Sequence, residues 1–289
     1  MKRYRATPWR TTWSGIALAF LLSALGATPT YAGEWTISRT KFGDYTFRIL
    51  DLEGFVDILT VYRVNEVVYT LENMSVRIKP VPLGTDFTGD GQPNAVLTTW
   101  SGGAHCCYEL VILEIGEEFR EVDRIYGRDS VFEVKDLDGK PGLEVLLADS
   151  NFAYWKAGFG SSPSSEVILR YEEGGYRLAP DLMRLPPMPG GELAHRAREV
   201  RHSELWDKFP KYPLPSDLWG VMLDMIYTGN MEQARPFLDS AWQTGRPGKE
   251  DFLTAFYCRL QKSSYWPELA AMNGLPSPVL VNDCPEETY

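Results

Sequence analysis

The chain has 289 residues, 44% of them hydrophobic, and carries 29 Lys and Arg against 39 Asp and Glu, a net charge of −10. Such an acidic balance excludes nucleic acid and anionic membrane as the expected partners, because phosphate-rich surfaces select basic patches. No P-loop and no dinucleotide fingerprint occurs, and no Ser, His and Asp fall into a spacing that marks a nucleophilic triad.

Residues 1–32 read as an export signal. Lys2, Arg3, Arg5 and Arg10 precede the apolar run "GIALAFLLSALGA", and Thr30, Tyr31 and Ala32 form a small-residue cleavage site. The apolar run is too short for a spanning helix, which needs about 20 residues. Cleavage after Ala32 removes four of the 29 basic residues, leaving 25 against 39 acidic ones, a net of −14. A periplasmic or secreted location follows from this reading, with no membrane span after cleavage.

From residue 33 onward the chain predicts β structure. The runs "YTFRIL", "VDILTVYRV", "VVYTLE" and "SVRIKPV" are rich in Val, Ile, Tyr and Thr and are separated by Gly54, Asn65–Glu66 and Asn73. The next stretch, "DFTGDGQPNAVLTTW", alternates oxygen-bearing side chains with glycine and then turns into strand-forming residues. Asp86, Thr88, Asp90, the main-chain carbonyl of Gln92 and Asn94 stand at positions one, three, five, seven and nine of a cation loop. An EF-hand needs a bidentate Glu at position twelve, which is Thr98 here. The spacing resembles the FG-GAP or VCBS repeat, the calcium loop and strands of integrin-like β-propellers. That resemblance implies calcium at residues 86–94. Thr88 and Asn94, standing where the repeat carries Asp, imply weak affinity, about 10⁻⁴ to 10⁻³ M.

A second loop, "DLDGKPGLE", begins fifty positions on, at Asp136, and each loop precedes a predicted hairpin. Lys140 at its fifth position puts an ammonium where an ion would sit, so residues 136–144 are expected to be a turn without metal. Three units of about fifty residues over positions 42–180 are fewer than the usual 4 to 8 propeller blades.

Between the strands of the second unit lies "SGGAHCC", which is also similar to a segment found in exported bacterial proteins. In an exported chain with four cysteines, pairing is expected. Two arrangements stay open: Cys106–Cys107 with Cys258–Cys284, or cross-links between the β and C-terminal parts. His105 beside Cys106 and Cys107 gives the alternative functional reading, a periplasmic redox or hydrolytic enzyme. The third unit carries an insertion with Phe152, Tyr154, Trp155 and Phe159, either buried in a core or displayed with His105 as a surface for a protein or glycan partner.

Around "LPPMPGG", residues 185–191, Pro and Gly density predicts a linker. Beyond it, residues 192–289 show helical spacing, including Leu218, Met222, Met225 and Ile226, with Ser216 placed to start a helix and Gly229 to end it. The expected architecture is α+β: repeated antiparallel β units over 33–185, propeller-like or a partial propeller, followed by a small all-α C-terminal domain. The expected function is that of an exported, non-catalytic binding or scaffold protein stabilised by calcium.

Overall fold

The computed structural model describes residues 35–52, 55–104 and 106–284; the segment read as an export signal lies outside them. Among these residues, twelve antiparallel strands form three four-stranded sheets, joined by six α-helices.

The first sheet is a meander of β1 (Trp35–Phe42), β2 (Tyr45–Leu52), β3 (Val56–Arg63) and β4 (Glu66–Asn73). Burial alternates along β2 and β3, placing Tyr45, Phe47, Ile49, Leu59 and Val61 on one face, as expected where only one side of a sheet is covered. The second sheet is formed by β5 (Ser75–Ile78), β6 (Asn94–Gly103), β7 (Cys106–Ile115) and β8 (Phe119–Arg128). Its central strands are buried on both faces. Ala95, Leu97, Val111 and Leu113 pack against the first sheet, while Val96, Leu110 and Ile112 face the third.

The third sheet runs in the order β12 (Gly175–Leu178), β11 (Ser165–Glu172), β10 (Glu144–Asp149), β9 (Glu133–Lys135). Consecutive residues Val167, Ile168 and Leu169 are all buried, because helices cover the side turned away from the second sheet. The helices are α1 (Pro180–Met183), α2 (Gly190–Arg201), α3 (Asp217–Tyr227), α4 (Ala234–Ala241), α5 (Lys249–Leu260) and α6 (Trp266–Met272). Helix α3 lies against β11.

This corrects the expected division of the chain. The helices are not a distinct C-terminal domain, since Trp219, Phe237, Phe252 and Phe256 share one continuous core with Val145, Val167 and Leu169. Nor is a closed propeller formed among the described residues: helices occupy the outer face of the third sheet, where a following blade would pack. The Pro- and Gly-rich segment is strapped down instead of linking. Met188 N–H donates to Gln233 Oε1 (2.9 Å), Gln233 Nε2 donates to Met188 O (2.8 Å), and Leu185 N–H donates to Thr228 O (3.2 Å). With one shared core, far-ultraviolet circular dichroism and tryptophan fluorescence should report a single, coincident urea transition. A helical signal lost at lower urea than the β signal would overturn the shared core.

Candidate functional site

The two Asp–Gly loops lie side by side and repeat the same local bonding. In the first, Gly89 N–H donates to Asp86 Oδ1 (2.8 Å) and Phe87 N–H to Asn94 Oδ1 (2.7 Å). In the second, Gly139 N–H donates to Asp136 Oδ1 (2.7 Å) and Leu137 N–H to Glu144 Oε2 (2.8 Å). The loops are joined by Leu143 N–H donating to Phe87 O (3.0 Å). The buried Tyr176 hydroxyl lies 3.0 Å from Phe87 O and 3.3 Å from Leu143 O, spanning both. Burial first, then the charges of Glu144 and Asp123, pushes ionisation of this phenol far above its ordinary range, so it is held as a donor.

The two loops differ at their ninth position. Asn94 is fully buried, and its one side-chain oxygen accepts from Phe87 N–H and Thr88 N–H (3.2 Å), leaving an unpartnered Nδ2, a donor that repels a cation. Asp86 spends both oxygens on backbone donors, Gly89 and Gly91 (3.0 Å), and Asp90 Oδ1 accepts from Thr88 Oγ1 (2.9 Å) and Gln92 N–H (3.0 Å). These bonds are those of an Asx-turned loop that closes on itself. Glu144 does the same backbone work as Asn94 with Oε2 and has a second carboxylate oxygen besides. Carboxylate oxygens of Asp136, Asp138 and Glu144 lie within 4.8 Å of one another, a cluster that can hold a metal ion.

The clustered carboxylates are thus at residues 136–144, where Asp138 Oδ1 also accepts from Lys140 N–H (2.9 Å). Lys140, the residue that argued against an ion there, pairs its Nζ with Asp138 Oδ2 (2.7 Å), which Arg170 Nη1 also approaches (3.0 Å), so this carboxylate already faces two cations. The Lys140 ammonium, with help from Arg170, holds the Asp138 carboxyl below the usual carboxylate range. A depressed carboxyl of this kind supports the fold at neutral pH and loses that contribution as pH falls through its lowered value.

The remaining site candidates separate into core and edge. Phe152 and Trp155 are buried in the aromatic cluster between the third sheet and the helices, where Trp155 meets Trp219 edge-on at 5.4 Å and Phe152 at 5.1 Å. They present no surface to a partner. Tyr154 is 53% exposed and pairs with Phe159 at 5.4 Å, so these two stay at the surface. His105 lies outside the described residues. Cys106 and Cys107 are bonded to each other at the start of β7, and Cys258 in α5 is bonded to Cys284 across a Cα separation of 5.5 Å. The hairpin tip is braced by Trp100 Nε1 donating to Gly103 O (3.1 Å) and Cys107 N–H donating to Ser101 Oγ (3.0 Å).

One edge of the molecule carries a run of cavities that join the hairpin tip to the insertion. A groove of about 490 Å³ is lined by Cys107, Tyr108, Tyr126, Arg128 and Tyr265. A narrow neck shares Tyr126, Arg128 and Tyr265 with it and adds Ala148 and Ser150. Those last two residues also line a pocket of about 200 Å³ that reaches Asp129, Ser162 and Phe159. Sequence reasoning missed Tyr126, Asp129 and Tyr265, which carry no local motif; the signal available was only that "SGGAHCC" and the insertion occupy equivalent places in their units. None of the described helices is long and apolar enough to cross a membrane. No family model, no curated protein and no solved structure matches the chain.

Proposed function

We propose that this chain is an exported binding protein whose ligand lies along the trough between Cys107 and Phe159. The observation that carries the reading is the continuity of that trough: three cavities in a row share lining residues and bring together two segments far apart in the chain. Exposed tyrosine at its rim, with Tyr126 at 64% exposure, suits recognition of a protein or glycan surface, because the ring supplies area at small entropic cost and the hydroxyl a polar handle. The three stacked sheets, read as a partial propeller, hold the trough walls. The test is binding to arrayed glycans and peptides: Tyr126→Ser and Phe159→Ser should each abolish it without moving the melting temperature by more than about 2 °C. Undiminished binding in both variants would remove the trough from the function.

Calcium at Asp136, Asp138 and Glu144 is the accompanying brace. Glu144→Gln keeps an oxygen for Leu137 N–H and replaces the other by an amide, reproducing the arrangement at Asn94. Calcium at tenfold its dissociation constant contributes about 1.4 kcal/mol, a rise of roughly 3–6 °C for a chain this size. Wild type should show that rise and Glu144→Gln should not, while the two melt alike in chelator. Equal behaviour of the two proteins in calcium would sink the assignment.

A further inference from the structure

The pocket beneath the insertion contains polar atoms that the fold leaves unanswered. Asp129 sits on the tight turn after β8, where Ser130 N–H donates to Gly127 O (2.9 Å). The turn is fixed in place by Ser130 Oγ, which accepts from Ala148 N–H on β10 (2.8 Å) and donates to Val131 O (3.0 Å). Asp129 Oδ1 is shielded from solvent and has no hydrogen-bond partner, and the same holds for Ser150 Oγ. Both residues line the cavity of about 200 Å³. The lining also includes the apolar side chains of Ala153, Phe159 and Pro163, beside Ser162 and Ser164.

A shielded carboxylate oxygen costs free energy unless a donor reaches it, and an ionised donor answers it most fully. No Lys or Arg lines this cavity, and among the described residues Asp129 takes part in no ion pair. Ala153, Phe159 and Pro163 suit methylene groups, and the net charge of −10 favours approach of a cation over an anion. A neutral hydroxyl would satisfy Ser150 yet leave the charge of Asp129 uncompensated.

We propose that this pocket receives a primary ammonium on a short alkyl stem, with Asp129 Oδ1 and Ser150 Oγ as its acceptors. This deepens the trough reading and rests on it: the ammonium end of the ligand enters beneath the insertion, and its remainder extends past Ser150 toward Tyr126. Two sources share this chemistry, a lysine side chain of a partner protein and a free alkyl diamine.

Titration calorimetry with 1,5-diaminopentane and with Nα-acetyl-lysine amide, each against the full-length mature protein, tests it. Saturable binding of at least one amine is expected, weakened by at least about tenfold in Asp129→Asn and less strongly in Ser150→Ala. Tighter binding of acetyl-lysine amide assigns the site to a protein partner, and tighter binding of the diamine assigns it to a free amine. Should Asp129→Asn not fold, as judged by its melting curve, Ser150→Ala supplies the comparison. Absence of saturation by either amine, or equal affinity in wild type and variants, overturns the proposal. Retained binding of an arrayed glycan or peptide in Asp129→Asn would do so too while leaving the trough itself standing.

Discussion

Substituting Gly89 by alanine should destabilise the protein by about 2–5 kcal/mol, measured as a shift of the urea midpoint at unchanged slope. Gly89 has φ +77°, a conformation costly for any residue with a Cβ, and an added Cβ would lie 2.3 Å from Pro141 O and 2.4 Å from Pro141 C. Backbone cannot swing aside as a side chain does, so the two loops would have to separate, straining Leu143 N–H to Phe87 O. Conformational strain of about 1–2 kcal/mol and overpacking of about 1–3 kcal/mol combine to give the estimate. Gly91, two residues on, separates these contributions. Its φ is +83° but nothing lies within 4 Å of an added Cβ, so Gly91→Ala should lose only the conformational part. Equal effects at the two glycines would mean that the loops do not touch as described.

Trp155→Ala should cost about 3–5 kcal/mol, the range for removing a buried large aromatic side chain. Trp155 is 8% exposed and touches Phe152, Trp219, Phe252 and Phe256, so it joins the insertion to both α3 and α5. The backbone nearby is held independently: Asn151 Nδ2 donates to Arg259 O (2.7 Å) and Arg259 Nε donates to Asn151 O (2.6 Å). The Tyr227 hydroxyl donates to Asp149 Oδ2 (2.6 Å) from α3, a further tie to the same place. Because of these polar ties the variant should still fold, which makes the loss measurable by equilibrium unfolding. A change below 1 kcal/mol would indicate that the aromatic cluster is not the joint between sheets and helices.

Much of the β half was legible because its strands follow simple rules. The runs at 45–50, 56–64 and 67–72 alternate or cluster β-branched residues between Gly and Asn turns, and they became β2, β3 and β4. Strand β1 fell inside the predicted β stretch but was not picked out as a run because "WTISRTKF" is largely polar; its residues described by burial are mostly exposed, so pairing with β2 rather than a buried face makes it a strand. The break at 185–191 was misread because composition records Pro and Gly but not the bonds from Gln233 and Thr228 that fasten this segment to the helices.

The candidate loops show a finer limit. Sequence spacing counted oxygen-bearing residue types at each ligand position, and on that count Lys140 disqualified the second loop. The structure adds how those oxygens are used: Asn94 offers one side-chain oxygen and Glu144 two, and in each one oxygen accepts from the loop backbone. The aromatic insertion was ambiguous for a related reason: Phe152, Tyr154 and Trp155 are close in sequence, and only the local path of the chain sends two of them inward and one outward.

The Tyr176 hydroxyl, lodged between two carbonyls, has a bearing on the order of assembly. Its partner Phe87 lies 89 positions earlier, so the lock on both turns must wait for nearly the whole β portion to leave the ribosome. Contacts of such long sequence separation slow the search for the native state. The hairpins should therefore form early as individual units and remain loosely docked until β12 arrives, with protection of the Leu143 amide against hydrogen exchange appearing among the last events of refolding.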